Sequence, residues 1–106
     1  MLAVAIGWAV SSKYDAVAYG AHAGDHLIYK DCRPEFAASM DTAALLCDEH
    51  QIRLLRPFIH MTKAQIISEG SLLGVPFEKT WTCYKGGKIP CGVCGSCQER
   101  RKICLL

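Results

Sequence analysis

The sequence has no long apolar run, no large excess of charge of either sign and no internal repeat. Residues 1–10 are apolar but too few to cross a bilayer, and they lack the basic start and small-residue cleavage site of a signal peptide. A formal net charge of +2 is too small to indicate a nucleic-acid partner by itself. We therefore expect a cytoplasmic protein with no membrane span and no direct contact with nucleic acid.

Cysteine, in contrast, is abundant, with seven in 106 residues. An odd number with four members inside one short segment does not fit a secreted disulfide scaffold, and it favours a reducing compartment. These four have the spacing C-x7-C-x2-C-x2-C of a tetrahedral zinc site: Cys83, Cys91, Cys94 and Cys97. Four thiolates leave no open position for water, so the predicted zinc is structural. The remaining three are predicted to be free thiols: Cys32, Cys47 and Cys104.

The first half of the chain predicts a helix, a strand and a second helix. Residues 2–13 are apolar nearly all round, which predicts a buried helix. Residues 16–19 form a short β-rich run closed by Gly20. Pro34 suits the first turn of a second helix. Its predicted apolar face has offsets of four, three and four: Phe36, Met40, Ala43 and Cys47.

The second half adds a strand and a helix before the cysteines. Residues 52–55 predict a second strand, and Thr62 with Gln65 forms a capping box for a third helix that ends at Gly74. Because parallel strands need crossover helices, this order predicts an α/β fold with a partial parallel sheet. We place it in residues 1–79, followed by a zinc loop and terminal helix in residues 80–106.

Two strands are too few for an independent open sheet, which normally has more strands and is covered on both faces. The chain is therefore expected to be an edge portion of a larger sheet or to complete one with a partner. An apolar first helix on such an edge predicts exposed apolar surface, and hence association with other copies.

Ligands of open α/β sheets bind beyond the carboxyl ends of strands, which selects two loops. The loop of residues 20–33 is dense in groups that suit a binding site, although any one of them could merely bond local backbone: His22, Asp25, His26, Tyr29, Asp31, Cys32 and Arg33. The spacing of the two histidines gives no geometric support for metal ligation. After the second strand, Thr62 and Lys63 begin a helix whose amides suit a phosphate, or they simply cap it and face solvent.

Five motifs follow one another at consistent spacing: G-A-H-A-G-D-H at 20–26, Y-K-D-C-R-P-E-F at 29–36, P-F-I-H-M-T-K-A-Q-I at 57–66, L-G-V-P at 73–76 and T-W-T-C-Y-K-G-G at 80–87. With the three later cysteines of the zinc motif they span nearly the whole chain. The set closely resembles the carboxy-terminal half of the 7-cyano-7-deazaguanine synthase family.

The resemblance implies part of an N-type ATP pyrophosphatase fold, which is the adenine nucleotide α-hydrolase-like or HUP fold. It implies an ATP- and Mg²⁺-dependent ligase that converts 7-carboxy-7-deazaguanine and ammonia into 7-cyano-7-deazaguanine, a precursor of modified tRNA nucleosides. It also implies zinc on the four clustered cysteines and an ATP-phosphate contact at Lys63 and Thr62. The deazaguanine pocket is implied at Asp25, Tyr29, Asp31 and Arg33.

One departure concerns the phosphate-binding loop of the family, which has the form S-G-G-x-D-S. The sequence contains no such motif, since Ser11 and Ser12 precede Lys13, and Gly86 and Gly87 lie among the cysteines. We therefore expect a fragment, a truncated gene product or one half of a split enzyme, which lacks an amino-terminal half and is inactive alone. The resemblance also implies a homo-oligomer.

Two other functions stay open. A noncatalytic zinc module could contact RNA through basic residues that otherwise balance an anionic metal cluster: Lys85, Lys88, Arg100, Arg101 and Lys102. Trp81 and Tyr84 could then stack on bases, or they could pack the zinc loop. A tRNA-thiolating enzyme of the same superfamily would need a reactive cysteine, and Cys32 has no evident base.

Overall fold

The computed structural model describes residues 1–103, which form four α-helices and two β-strands. In chain order these are α1 (Leu2–Ser11), β1 (Ala16–Ala18), α2 (Pro34–Leu46), β2 (Arg53–Leu55), α3 (Lys63–Leu72) and α4 (Gly95–Ile103). Short 3-10 turns lie at Ala23–Asp25, Lys30–Cys32 and Phe77–Lys79. None of the helices in this part of the chain has the length and apolar character needed to cross a membrane.

The two strands pair in parallel, with Val17 opposite Leu54. The pairing continues beyond the strand, since Tyr19 N donates to the carbonyl of Leu55 at 3.1 Å. Because α2 connects the ends of the two parallel strands, the predicted α/β order and parallel sheet are confirmed.

Contacts divide the chain into two units, Met1–Thr62 and Lys63–Leu106. In the first unit, one core cluster joins α1, α2 and the residue before β2: Ile6, Ala9, Ala44 and Ile52. A second cluster lies beyond the carboxyl end of β1: Ala21, Ala37 and Ile59. The predicted domain boundary between residues 79 and 80 is untested and stays a prediction.

Helix α1 is present as predicted, but it is not buried all round within its unit. Ile6 and Ala9 are its buried residues, whereas Val4 and Trp8 are exposed. The Trp8 ring stacks on Tyr14 with centroids 5.3 Å apart. Apolar composition alone cannot distinguish a helix that is covered on one face from one that is covered on all.

The buried face of α2 differs from the predicted one. Its buried residues are Ala37, Asp41 and Ala44, while Ala43 and Cys47 are exposed. The predicted face was one position too early along the helix, which corresponds to about 100° of rotation. Two small alanines and one polar residue therefore form the buried face of α2.

Asp41 is this polar residue, and the sequence did not single it out. Its carboxylate accepts hydrogen bonds from Leu54 N at 2.8 Å and from Arg53 Nη2 at 3.0 Å, and it pairs with Arg56 Nη1 at 3.2 Å. The hydrogen bond from Arg53 lowers the pKa of Asp41 from 3.8 to about 2, against the opposing effect of burial. The carboxylate therefore fixes α2 on β2.

In the second unit, α3 ends at Leu72, two residues before the predicted stop at Gly74. Gly74 has φ +71°, a left-handed conformation that suits glycine after a helix, and Val75 N donates to the carbonyl of Gly70 at 2.9 Å. Helix α3 has no buried residue, and the buried residues of 63–103 are Cys83 and Cys97. The packing of this unit is therefore concentrated at the cysteine cluster.

The predicted free thiols can be compared for two of the three residues. Cys32 and Cys47 are free, as expected. Cys104 lies outside the described residues.

Candidate functional site

The four clustered cysteines converge on one point, and their sulfur atoms all lie within 4.8 Å of one another. Cys91 Sγ and Cys97 Sγ are 4.0 Å apart. Four sulfurs about 2.3 Å from a tetrahedral zinc ion would be separated by about 3.8 Å, so a small contraction fits them around a metal. The donor set is closed and consists of sulfur only, which suits a structural metal ion.

Local backbone geometry brings these sulfurs together. Gly92 has φ +73°, which a side chain rarely permits, and an added Cβ would lie 3.0 Å from Arg101 Nη2. The tight turn allows Cys94 N to donate to Cys91 Sγ at 3.4 Å, and Cys91 N to donate to Cys83 Sγ at the same distance. Amide-to-sulfur hydrogen bonds stabilise thiolates, which are the form that binds a metal.

The thiol pKa values within this cluster diverge. The backbone amides of Cys91 and Lys85 lower the pKa of Cys83. Those of Cys97 and Tyr84 lower the pKa of Cys94 to about 6, whereas burial raises the pKa of Cys97 to about 12. Part of the cluster is thus ready to bind a cation near neutral pH, and a bound metal would displace the proton of Cys97.

One aromatic and one basic residue near the cluster have structural partners. Trp81 Nε1 donates to the carbonyl of Cys83 at 2.9 Å, which supports the packing alternative, while Tyr84 is largely exposed. Arg100 donates to the carbonyl of Thr80 at 3.1 Å and is therefore not a freely extended RNA contact.

The polar loop after β1 is organised by three internal side-chain contacts. His22 is buried, its Nδ1 accepts from Gly24 N at 3.1 Å and its Nε2 lies 3.1 Å from Asp25 Oδ2. Arg33 Nε donates to the carbonyl of His26 at 2.9 Å. His22, Asp25 and Arg33 thus hold the shape of the loop. This matches the alternative from the sequence that individual polar residues bond local backbone.

Asp31 has a different position, on the wall of a cavity of about 500 Å³ beside β1 and α2. The cavity lining in this region combines an acid, a phenol, a thiol and apolar side chains: Tyr19, Asp31, Cys32, Phe36 and Met40. The other predicted pocket residues, Asp25, Tyr29 and Arg33, are not part of this lining. The structure therefore brings one of the four to a cavity.

The sequence did not identify Tyr19 as a site residue. Burial and the nearby Cys32 raise the pKa of its phenol, and its hydroxyl is buried with no hydrogen-bond partner in residues 1–103. The available signal was its position immediately after β1.

Burial, Asp31 and Asp25 raise the pKa of the Cys32 thiol. A thiolating enzyme needs a cysteine that loses its proton readily, so the raised pKa argues against that function.

Lys63 is the first residue of α3, and its Nζ forms an ion pair with Glu99 of α4. It is therefore not simply solvated, and sequence alone could not indicate a partner 36 positions away. Thr62 is exposed at the end of the first unit.

Comparison with known proteins gives consistent matches. The family model described as "QueC: Queuosine biosynthesis protein QueC" matches residues 1–104. The 7-cyano-7-deazaguanine synthase of Pseudoalteromonas translucida (strain TAC 125) is 45% identical over 100 residues, covering 94% of this chain and 46% of the relative. The 7-cyano-7-deazaguanine synthase 1 of Mesorhizobium japonicum is 51% identical over 104 residues, covering 96% and 45% respectively. The chain spans less than half the length of these curated relatives.

Proposed function

Since the chain belongs to the QueC queuosine biosynthesis family, we propose that it forms part of a 7-cyano-7-deazaguanine synthase. The observation that carries this proposal is the family match over residues 1–104. The substrates are 7-carboxy-7-deazaguanine, ammonia and ATP with Mg²⁺, and the product is a nitrile used in tRNA modification. The α/β unit belongs to a HUP fold, and the protein acts in the cytoplasm as a homo-oligomer.

The reaction replaces both oxygens of a carboxylate with one nitrogen. Oxygen leaves poorly as hydroxide, so ATP activates each oxygen in turn, first as a mixed anhydride of the carboxylate with phosphate and then as an O-phosphorylated imidate of the amide. Ammonia displaces the first to give the amide, and loss of the second together with two protons from nitrogen gives the nitrile. The protein must hold the deazapurine, neutralise the departing phosphates and exclude water.

The polar loop and cavity of the first unit supply the deazapurine contacts. A deazaguanine ring presents several N–H donors, and the Asp31 carboxylate on the cavity wall accepts such bonds. Phe36 and Met40 give the apolar surface that a planar ring requires. Asp25, Tyr29 and Arg33 complete the recognition loop, while Thr62 and Lys63 contact ATP phosphate.

The metal is a structural Zn²⁺ on the cysteine cluster. Support comes from the closed set of four sulfurs within 4.8 Å, since zinc prefers tetrahedral sulfur ligation and needs no open position in a structural site. When bound, the ion cross-links the turn around Gly92 to the first turn of α4.

A chimera tests the proposed reaction. This chain replaces the matching segment of the Mesorhizobium japonicum relative, and 7-cyano-7-deazaguanine is measured by mass spectrometry with and without ATP, ammonia and the carboxylic acid. We expect product only when all three are present, and none from this chain alone. In the chimera, Asp31→Asn should raise KM for the acid about tenfold, because one charge-assisted hydrogen bond is lost.

The matched control is Glu49→Gln, which removes an exposed acid outside the cavity and should leave KM unchanged. A folded, metal-loaded chimera that makes no nitrile would contradict the proposed function.

A further inference from the structure

Access to solvent divides the four clustered cysteines into two pairs. Cys83 and Cys97 are 5% and 7% exposed, whereas Cys91 and Cys94 are only half-buried. Oxidation of a cysteine requires that the oxidant reach the sulfur, so accessible thiolates react before buried ones. A small oxidant in solution therefore meets the cluster first at Cys91 or Cys94.

Cys91 also has a second sulfur close by. Its Sγ is 4.0 Å from Cys97 Sγ, and a disulfide brings two sulfurs to about 2 Å from each other. Two glycines, Gly92 and Gly95, lie between these cysteines and give the backbone the freedom that this approach needs. One accessible sulfur and one buried sulfur of the same short segment can therefore form a disulfide.

We propose that Cys91 and Cys97 form an oxidation site for hydrogen peroxide, and that their disulfide releases the metal. The Cys91 thiolate attacks one peroxide oxygen, the O–O bond breaks, hydroxide leaves and a sulfenic acid forms. The Cys97 thiolate then attacks this sulfur, the S–S bond forms and a second hydroxide leaves. Two electrons pass from the two sulfurs to the peroxide, and both sulfurs cease to be metal ligands.

Loss of the metal frees α4 from the rest of the second unit. After oxidation only Cys83 and Cys94 remain as ligands, and two thiolates do not make the four-ligand set of a structural site. Residues 63–103 bury no side chain outside the cluster, so nothing in their packing replaces the metal. Glu99 of α4 pairs with Lys63. Resting on the proposed function, oxidation therefore removes the partner that orients this lysine, and it lowers synthase activity until a reductant restores the thiolates.

The test treats the zinc-loaded 106-residue chain with a limiting amount of hydrogen peroxide and follows zinc release with a chromogenic chelator. Remaining thiols are alkylated, and the disulfide is mapped after trypsin digestion. Trypsin places Cys83 in the peptide 80–85 and the other three cluster cysteines in the peptide 89–100. We expect a disulfide inside 89–100 for each zinc ion released, with the alkyl label on Cys83 and Cys94. Dithiothreitol and added zinc should reverse both changes.

Cys91→His is the decisive variant, because imidazole keeps a zinc ligand at this position but cannot form a disulfide. It should slow zinc release about tenfold, since the accessible member of the pair is gone. Cys94→His is the matched control, because it makes the same exchange at the other half-buried ligand and keeps both members of the disulfide. Zinc release should then change less than about twofold.

The proposal is overturned if zinc stays bound at a peroxide concentration that oxidises the exposed thiol of Cys47, or if the first disulfide includes Cys83 or Cys94. It is also overturned if Cys94→His slows release as much as Cys91→His. None of these measurements depends on catalysis. An inactive chimera with the expected disulfide removes only the synthase assignment, and a chimera that keeps full activity after the disulfide forms removes only the control of activity.

Discussion

Apolar side chains from α1, α2 and the β2 segment meet around the fully buried Ile52 in residues 1–62, whereas residues 63–103 bury only Cys83 and Cys97. The first unit relies on packing together with one buried carboxylate. The second places its buried groups where four sulfurs converge. A metal ion can therefore replace a core in a segment too short and too polar to build one.

Metal removal should have the largest effect, and it should destabilise the second unit while leaving the first unit folded. Structural zinc contributes about 10–16 kcal/mol of apparent binding free energy in small zinc domains, which exceeds any single packing contact. With a strong chelator, or with Cys94→Ser, amides of α4 should lose hydrogen-exchange protection while amides of β1 and β2 keep theirs. The measurement is hydrogen exchange followed by NMR.

The control is Cys47→Ser, because Cys47 is an exposed thiol outside the cluster and should not alter exchange in α4. Loss of protection in both units together would contradict the prediction that the metal stabilises only the second unit.

Asp41→Asn should destabilise the first unit and leave the second unit unchanged. It removes the anionic partner of Arg53 and Arg56, and because the Arg53 side chain is 59% exposed we expect a cost of about 1–3 kcal/mol, below that of a fully buried pair. We expect the unfolding midpoint of residues 1–62 in urea to fall, with metal affinity unchanged. Glu49→Gln removes an exposed acid and should shift stability by less than about 0.5 kcal/mol. A loss of metal-binding free energy as large as the loss of unfolding free energy would contradict this prediction.

Acid should weaken the first unit through the same carboxylate. The pKa of Asp41 is about 2 in the folded chain against an ordinary 3.8. A depressed pKa contributes stability that is fully present above the unfolded value and is lost as pH falls through the folded value. The contribution, about 2 kcal/mol, should therefore decrease between pH 4 and pH 2 in urea titrations, and this decrease should be absent in Asp41→Asn.

Gly92→Ala should have the smallest effect and should affect only the second unit. Alanine at φ +73° costs about 1–2 kcal/mol, and its Cβ meets Arg101 Nη2 at 3.0 Å. We expect roughly tenfold weaker metal binding in a competition titration. Gly95→Ala is the matched control, since an added Cβ there meets nothing within 4 Å. Equal effects of the two substitutions would show that the turn conformation is unimportant.

Much of the fold follows from local sequence. Turn residues and short β-rich runs predicted β1 and β2 to within a residue, and the spacing of the cysteines predicted a cluster whose geometry suits a metal. These features depend on near neighbours in the chain, where periodicity and spacing carry the information. The parallel pairing also followed, because a helix between two strands leaves little choice of direction.

Partners far apart in sequence could not be predicted. Asp41 looked like an ordinary polar helix position, and its burial depends on contacts with Arg53 and Leu54 that form only when α2 packs on β2. Glu99 becomes the partner of Lys63 only when α3 and α4 pack together. Polar residues of the loop after β1 were recognised as a set, but their division into shape-holding and cavity-lining groups depends on three-dimensional distances.

The bond from Arg33 to the carbonyl of His26 closes residues 26–33 into a ring, and Tyr29 N within it donates at 2.9 Å to the carbonyl of Asp25, the residue just before the ring. Leu27 and Ile28 at its tip are exposed. Side chains at these two positions can therefore be exchanged without unravelling the loop. For protein engineering, these two tip positions are suitable sites for inserting or exchanging residues on an unchanged scaffold.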